Sequence, residues 1–218
     1  MKGFMQFKEV AMYFKRLIPY RLLLALGVFL LAASVAAATP GPMEQARTTV
    51  DAVMAILREA NLEKEARREK LSTTIRARFD FNEMSQRILA TNWKNASAEQ
   101  RSRFVNIFSD LLERNYIGRI ESYTDEKIDF LKERVQGNRA AVDTVIVTKS
   151  AEIPISYRMV QQGSEWMVYD VVIESVSFVN NYRNSYGEIL KKEGFDGLLT
   201  RMKEKLAQLE QGGDSSQP

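Results

Sequence analysis

Cysteine and histidine are both absent from the 218 residues of this chain. Without cysteine there can be no disulfide framework, no thiol nucleophile and no thiol for covalent attachment of a lipid. Without histidine the chain lacks the commonest general base, the usual zinc ligand and any Ser-His-Asp triad. We therefore expect a protein that is not an enzyme and that uses neither a metal nor a cofactor.

Long apolar runs are also scarce, and the most prominent one lies near the N-terminus. Residues 1–21 hold five basic side chains and one acidic one, residues 22–31 are apolar, and residues 32–38 are mostly alanine. This order is typical of a secretory signal peptide and predicts export, with cleavage after Ala38 or, nearly as well, after Ala36. An uncleaved membrane anchor is the alternative, but the apolar stretch is slightly shorter than the about 20 residues that a spanning helix needs.

The positive charge of the chain belongs to this leader. The whole chain has 31 Lys and Arg against 28 Asp and Glu, and removal of residues 1–38 leaves 26 basic and 27 acidic residues, a net charge of −1. A basic surface for nucleic acid is therefore not expected. We predict a single soluble domain over residues 39–210 and a polar, disordered tail over residues 211–218.

Helical periodicity dominates the first part of the predicted domain. Apolar side chains recur at helical spacing from Val50 onwards, and either Asp80 or Asn82 can cap a short helix. Ser97 followed by Gln100 is a capping-box pattern, and it opens the strongest predicted helix. One wide apolar stripe follows on that helix, formed by Phe104, Val105, Phe108, Leu111, Leu112, Asn115, Tyr116 and Ile120.

The period changes after Tyr123, where strands replace helices. Four strands are predicted, near residues 128–131, 142–148, 153–160 and 166–174, with turn signals at 136–138 and 162–164. Short links between successive strands predict an antiparallel sheet. Helices return from Val179, with a break at Gly194. The sequence therefore predicts an α+β fold with a sheet of about four strands flanked by N-terminal and C-terminal helices.

Asp170 interrupts an otherwise apolar strand from Trp166 to Ile173. That strand either lies centrally with helices on both faces, or has one face on the core and one on a ligand cavity. A buried carboxylate needs a partner, and we expect a structural ion pair between Asp170 and Arg183. The alternative is a hydrolase that uses Asp170 and Glu174, but these would lie about 13 Å apart along the strand. That separation is too large for either glycosidase geometry.

Two blocks of the sequence resemble the MlaC family of phospholipid-binding proteins, also described as the toluene-tolerance auxiliary family. The first block consists of Phe79-Asp80-Phe81, Met84, Trp93, Ser97, Gln100, Phe104, Phe108, Leu112 and Tyr116. The second consists of Trp166, Val168-Tyr169-Asp170-Val171, Ile173-Glu174, Val176-Ser177 and Asn181-Tyr182-Arg183. The similarity covers roughly residues 43–210, and the chain departs from the family at Ala90 and Ser175, where members often have glycine.

The resemblance implies a periplasmic carrier that holds phospholipid by its acyl chains and leaves the head group near solvent. It implies docking to an inner-membrane ABC transporter complex and to an outer-membrane lipoprotein–porin complex, and a role in maintaining outer-membrane lipid asymmetry. It also implies a twisted antiparallel sheet with helices around a deep apolar pocket. We expect a monomer with phospholipid as its ligand.

Candidate lipid-binding residues are the apolar positions on the main predicted helix and on the predicted sheet. They are Phe104, Phe108, Leu111, Tyr116, Ile146, Ile155, Tyr157, Val168, Val171 and Ile173. The alternative to a carrier is a periplasmic protein-interaction module or chaperone with a filled core and no acyl-chain cavity.

Overall fold

Five helices precede an antiparallel sheet, and one long helical element follows it in the computed structural model, which describes residues 39–123 and 126–211. The helices before the sheet are α1 Pro42–Arg58, α2 Lys64–Arg76, α3 Phe81–Leu89, α4 Thr91–Asn95 and α5 Ala98–Ser122. The strands are β1 Lys127–Gln136, β2 Arg139–Val147, β3 Glu152–Gln162, β4 Glu165–Ile173 and β5 Val176–Ser177. The last element is α6, Phe178–Glu210. The predicted α+β order is confirmed, while the predicted leader at residues 1–38 lies outside the described residues.

Local capping signals start the helices where the sequence predicts them. The Asp80 side chain accepts a hydrogen bond from the Glu83 backbone N–H at 2.8 Å and so caps α3. At the start of α5, the Ser97 hydroxyl accepts from the Gln100 N–H at 3.1 Å, and the Gln100 side chain accepts from the Ser97 N–H at 3.0 Å. The capping box is therefore complete, and it satisfies two backbone donors that the first turn leaves without partners.

The sheet has the strand order β1-β2-β3-β4-β5, and every neighbouring pair is antiparallel. Gly137 and Gly163 open the two predicted turns with φ angles of 58° and 59°, a left-handed conformation that glycine adopts without strain. A fifth strand of only two residues joins the four that the sequence predicts. So short a strand carries no readable alternation, and for that reason the sequence pattern does not reveal it.

One face of the sheet is covered and the other is more exposed. Along β2, Ala140, Val142, Thr144 and Ile146 are buried, and the residues between them are half-buried. The buried face packs against α1 at one end of the sheet, and Ala46 of α1 belongs to the same apolar cluster as β2, β3 and β4. This alternation fixes which strand residues point toward the helices.

A second apolar cluster lies between α3, α5 and α6 and is rich in aromatic rings. Phe104 stacks on Phe108 with ring centroids 5.9 Å apart and meets the edge of Tyr186 at 5.9 Å. Phe108 in turn meets the edge of Tyr182 at 5.2 Å. Phe104 and Phe108 are both 0% exposed. These rings therefore form a solid helical core.

The long C-terminal element is two helical segments that meet at Gly194. The backbone there has φ 69° and ψ −172°, which breaks the helix. The predicted end of the helix at this glycine is confirmed. Among the residues that the structure describes, no helix combines the length and hydropathy that a membrane span requires.

Asp170 lies at the junction of β4 and α6 and is 1% exposed. Its carboxylate accepts hydrogen bonds from Arg158 at 2.9 Å, from the Ser177 hydroxyl at 2.7 Å and from the Val179 backbone N–H at 3.0 Å. The expected ion pair with Arg183 is therefore wrong. Arg158 is the partner because it lies directly opposite Asp170 in the β3–β4 register, whereas Arg183 Nε donates to the Arg87 carbonyl at 2.8 Å.

Ionisation of the buried Tyr182 makes the stability of the protein depend on pH in the alkaline range. Burial, and to a lesser degree the neighbouring Tyr116, raise the pKa of Tyr182 from 10.0 to about 12, while a hydrogen bond from Asn115 opposes the shift. The folded state thus favours the neutral phenol. This contribution to stability is complete below pH 10 and is lost as the pH rises through about 12.

We expect the unfolding free energy of the wild-type domain to fall by about 2 kcal/mol more than that of Tyr182→Phe between pH 9 and pH 12. Urea unfolding at a series of pH values measures the difference, and the variant keeps Tyr186 and every lysine as internal controls. Parallel curves for the two proteins would contradict the assignment to Tyr182.

Candidate functional site

A cavity of about 390 Å³ lies between the covered face of the sheet and helices α1, α2 and α5. Its volume falls within the range of about 300–1,000 Å³ that is usual for sites of small organic ligands. Most of the side chains around it are aliphatic or aromatic. The cavity is therefore a site for an apolar ligand with few directional contacts.

Helix α1 forms one wall of the cavity through an apolar stripe at helical spacing. The stripe consists of Val50, Val53, Met54 and Leu57. The buried Gln45 fixes the start of this helix: its side-chain amide donates to the Ser164 carbonyl at 3.0 Å and accepts from the Trp166 backbone N–H at 2.9 Å. These bonds hold the helix against the β3–β4 turn, at the end of the sheet away from the cavity.

The sheet contributes the opposite wall from one end only. The lining side chains come from the start of β1, the end of β2, the start of β3 and the end of β4, and they are Ile128, Ile146, Ile153, Ile155, Val171 and Ile173. Because the strands are antiparallel, these positions meet at the same end of the sheet. Branched aliphatic residues suit a pleated wall because they pack well against cross-strand neighbours.

Helix α5 supplies the third wall, but only with its C-terminal half. Leu112, Tyr116, Ile117 and Ile120 line the cavity, whereas Phe104, Phe108 and Leu111 belong to the core between α3, α5 and α6. A helix of 25 residues is about 37 Å long, so its apolar stripe passes from one environment to another. The N-terminal part of the stripe on α5 therefore packs in the core, and its C-terminal part lines the cavity.

Six of the ten candidate lipid-binding residues lie on the cavity wall. They are Tyr116, Ile146, Ile155, Tyr157, Val171 and Ile173. Of the other four, Val168 is 3% exposed in the sheet core, where its backbone bonds to Arg78 and Asp80, and the remaining three are the α5 core residues Phe104, Phe108 and Leu111. The sequence allowed β4 to be either a core strand or a strand that faces a ligand cavity. In the structure its start lies in the core and its end lies on the cavity.

The candidate list misses other wall residues, including several aromatic ones and the stripe on α1. Phe79, Phe81 and Phe178 line the cavity, as do the α1 stripe residues. The helical spacing from Val50 to Leu57 is visible in the sequence, but it does not reveal which surface the stripe covers. Phe178 lies at the β5–α6 junction, where neither strand alternation nor helical periodicity is visible in the sequence.

Tyr116 and Tyr157 are two of the three tyrosines that line the cavity. The Tyr116 ring stacks on Phe178 with centroids 4.6 Å apart. Burial raises the pKa of Tyr116, although the nearby Arg119 opposes this, and burial also raises the pKa of Tyr157 against a hydrogen bond with Thr144. Both phenols therefore stay neutral at physiological pH, which suits a cavity that excludes water.

Ion pairs join α2 to α5 beside the cavity. Arg76 contacts Asp110 and Glu113 at 2.5 Å each, and Arg68 contacts Glu121 at 2.8 Å. Burial opposes the charge of Arg76, but its hydrogen bonds to both carboxylates outweigh burial and raise its pKa. Only Leu71 of α2 is fully buried. This seam, defined by Arg68, Arg76 and their three carboxylate partners, therefore depends on charge more than on apolar packing.

The remaining charged side chains of the lining define a charged rim, which consists of Arg119, Glu126 and Glu174. Arg119 and Glu174 are exposed and Glu126 is half-buried. Arg119 lies near the end of α5, and the two glutamates flank the strand ends that line the cavity. Exposed side chains on a cavity wall mark where the cavity meets solvent, so the rim is at its mouth.

The described residues offer no cluster of metal ligands in the cavity. Within residues 39–123 and 126–211 there is no group of three or more carboxylates, histidines or cysteines that could hold a metal ion. Asp170 is buried with three hydrogen-bond donors, whereas Glu174 is exposed at the end of β4. What the site can do is exclude water from an apolar ligand.

An α+β fold with a cavity of this kind defines a class of binding proteins for hydrophobic ligands. The chain belongs to the MlaC family, because the sequence model of that family matches residues 47–204. The family resemblance expected from the two sequence blocks is thus confirmed.

Individual relatives agree with this assignment. The intermembrane phospholipid transport system binding protein MlaC of Haemophilus influenzae is 30% identical over 128 residues, which cover 56% of this chain and 60% of that protein. The toluene tolerance protein ttg2D of Pseudomonas putida is 23% identical over 142 residues, which cover 63% of this chain and 66% of that protein. The matched stretches span less than two thirds of either relative.

A solved structure extends the comparison to the fold. The phospholipid-binding protein from Ralstonia solanacearum, solved in complex with a phospholipid, superimposes with a TM-score of 0.70 at 25% identity. The match covers 78% of this chain and 99% of that one. The expected fold, an antiparallel sheet flanked by helices, is therefore shared with a phospholipid-binding protein.

Proposed function

We propose that this protein is a non-enzymatic carrier that binds phospholipid by its acyl chains in the cavity and transfers it between membranes. The observation that carries the proposal is the apolar cavity at the end of the sheet, walled by three helices and the strand ends. Membership of the MlaC family and the phospholipid complex of the Ralstonia solanacearum relative support the choice of ligand.

The energetics of acyl chains make a walled cavity necessary for such a carrier. Each CH₂ group removed from water contributes about 0.8 kcal/mol, so a diacyl lipid with about 30 methylenes would lose more than 20 kcal/mol if it entered water unprotected. Six of the candidate residues, among them Tyr116, Ile155 and Val171, line the cavity, and we propose that they contact the chains. Phe104, Phe108, Leu111 and Val168 instead support the wall from behind.

Membership of the family and the predicted N-terminal leader support a proposal for the route of the lipid. We propose that residues 1–38 are removed on export and that residues 39–210 act as a monomer in the periplasm. In that compartment the carrier would exchange phospholipid with an inner-membrane ABC transporter complex and an outer-membrane lipoprotein–porin complex. This exchange would maintain the lipid asymmetry of the outer membrane.

Organic extraction of the purified mature protein is expected to release phospholipid in amounts comparable to the protein. Mass spectrometry of the extract measures it, and an unrelated exported protein purified in the same way is the control. The delipidated protein is also expected to take up phospholipid from vesicles. A protein that carries none and takes up none would contradict the proposal, and binding of unfolded polypeptide instead would favour a chaperone.

A further inference from the structure

The charged rim contains one arginine that lacks a carboxylate partner. Two arginines line the cavity, Arg76 and Arg119. Arg76 is neutralised by Asp110 and Glu113, whereas no ion pair of Arg119 occurs in the described part of the chain. The guanidinium of Arg119 instead lies 5.9 Å from the centroid of the Tyr116 ring. It is therefore the one lining cation in this part of the chain whose charge is available at the mouth.

The position of Arg119 places that charge next to the apolar wall. Arg119 follows Tyr116 and precedes Ile120 on α5, and all three line the cavity. A ligand whose hydrocarbon fills the cavity would therefore present its first polar atoms at Arg119. Guanidinium groups bind phosphate oxygens through paired, charge-assisted hydrogen bonds.

The exposed glutamate of the rim, Glu174, limits the charge of the head group. Glu174 is exposed at the tip of the β4–β5 turn, where its φ of 48° and the φ of 72° at Ser175 form a left-handed turn. A head group with a second negative charge beyond its phosphate would meet the Glu174 carboxylate, whereas an ammonium group would be attracted by it.

We infer that the rim is a head-group site for zwitterionic phospholipids, in which Arg119 binds the phosphodiester and Glu174 faces the ammonium group. This inference rests on the proposed function, because it assumes that the acyl chains occupy the cavity. It adds a preference among lipids that the apolar cavity cannot provide, since hydrocarbon walls do not distinguish head groups.

Competition among three lipids with identical acyl chains tests the site. Delipidated mature protein is mixed with vesicles that contain equal amounts of phosphatidylethanolamine, phosphatidylglycerol and diacylglycerol, and the bound lipids are quantified by mass spectrometry. The wild type is expected to prefer phosphatidylethanolamine to both others. In Arg119→Gln the ratio of bound phospholipid to bound diacylglycerol is expected to fall about tenfold.

The matched control is Arg103→Gln, because Arg103 is an exposed arginine on the same helix that is not part of the lining. Its lipid ratios are expected to equal those of the wild type. Equal ratios in the Arg119 and Arg103 variants would overturn the inference, as would equal uptake of phosphatidylethanolamine and phosphatidylglycerol by the wild type. Failure of the wild type to take up any of the three lipids would instead refute the proposed function.

A chain-free head group distinguishes a lipid site from a site for small soluble phosphates. Glycerophosphoethanolamine carries the same phosphodiester and ammonium groups without acyl chains. Isothermal titration calorimetry with the delipidated wild type is expected to show no binding at millimolar concentrations. Binding of this molecule with an affinity near that of the lipid would overturn the assignment to a membrane lipid.

Discussion

Replacement of Val171 by Trp is expected to lower the phospholipid content of the protein more than tenfold. Val171 is 6% exposed on β4 and lines the cavity, so an indole at this position occupies volume that the acyl chains need. Exclusion of only two methylenes costs about 1.6 kcal/mol of binding, which already exceeds a tenfold loss of affinity. Mass spectrometry of extracts and uptake from vesicles measure the effect.

The control for this substitution is Val145→Trp, on the more exposed face of the sheet. Val145 lies between the buried residues Thr144 and Ile146 on β2, so its side chain points away from the cavity. This variant is expected to keep its phospholipid. A second filling substitution, Val53→Trp on α1, is expected to reproduce the loss from a different wall. Full phospholipid content in folded Val171→Trp would exclude this cavity as the binding site.

Replacement of Asp170 by Ala is expected to lower the unfolding free energy by about 3 kcal/mol, because it removes the acceptor for two buried donors. The Ser177 hydroxyl and the Val179 N–H both lose their hydrogen bonds to the carboxylate. Arg158 contributes less, since its side chain is 43% exposed and water can replace the lost partner. A change of this size lowers the melting temperature by about 6–12 °C in a domain of this length.

Asp143→Ala removes a comparable but more exposed pair and serves as the control. Asp143 pairs with Arg134 across β1 and β2, and its side chain is 27% exposed. We expect a loss below about 1 kcal/mol. Denaturant unfolding of delipidated proteins is the suitable measurement, because bound ligand would add to the stability of every variant. Equal losses in the two variants would show that the junction of β4 and α6 does not depend on Asp170.

Secondary structure could be predicted well where local chemistry determines it. The capping box of Ser97 and Gln100 satisfies backbone donors within one turn, and Gly137 and Gly163 occupy left-handed turns that other residues disfavour. These effects depend on neighbours in sequence. The antiparallel order follows from them because short turns allow no other pairing.

The ion-pair partner of Asp170 shows why tertiary contacts are harder to predict. Arg183 belongs to the same block of residues as Asp170, yet Arg158 on the neighbouring strand forms the pair. The choice depends on the β3–β4 register, which shifts between Arg158 and Met159 at an irregularity in the pairing. An irregularity of this kind changes which residues face each other, and it cannot be recognised from the sequence pattern of the two strands.

The cavity wall was predictable on the sheet and only partly on the helices. On β2 and on the first part of β3 the more buried residues alternate with less buried ones, so Ile146 and Ile155 could be assigned to the covered face. Val171 reaches the same face only after the irregularity in the β3–β4 pairing. On α5, however, Phe108 and Tyr116 lie on one apolar stripe, and only the packing of α6 makes the first a core residue. A hydrophobic stripe indicates burial, but not whether the neighbour is another side chain or a ligand.

Two positions at which the chain departs from the family pattern have positive φ angles. Ala90 and Ser175 stand where members of the family often have glycine, and both adopt positive φ angles, 50° and 72°. An L-residue in this conformation costs roughly 1–2 kcal/mol relative to its preferred backbone. The chain therefore retains two left-handed positions without the residue that occupies them most easily.

The seam of ion pairs between α2 and α5 makes one side of the cavity sensitive to salt concentration. Charges at a partly exposed surface are screened over about 8 Å at physiological ionic strength, whereas contacts between hydrocarbon groups carry no charge to be screened. Arg68 and Arg76 hold one side of the cavity through such screened contacts, while the sheet wall is held by aliphatic packing. The two sides of the same cavity therefore differ in their sensitivity to salt. As the salt concentration rises, the contacts between α2 and α5 are expected to weaken before those of the sheet wall.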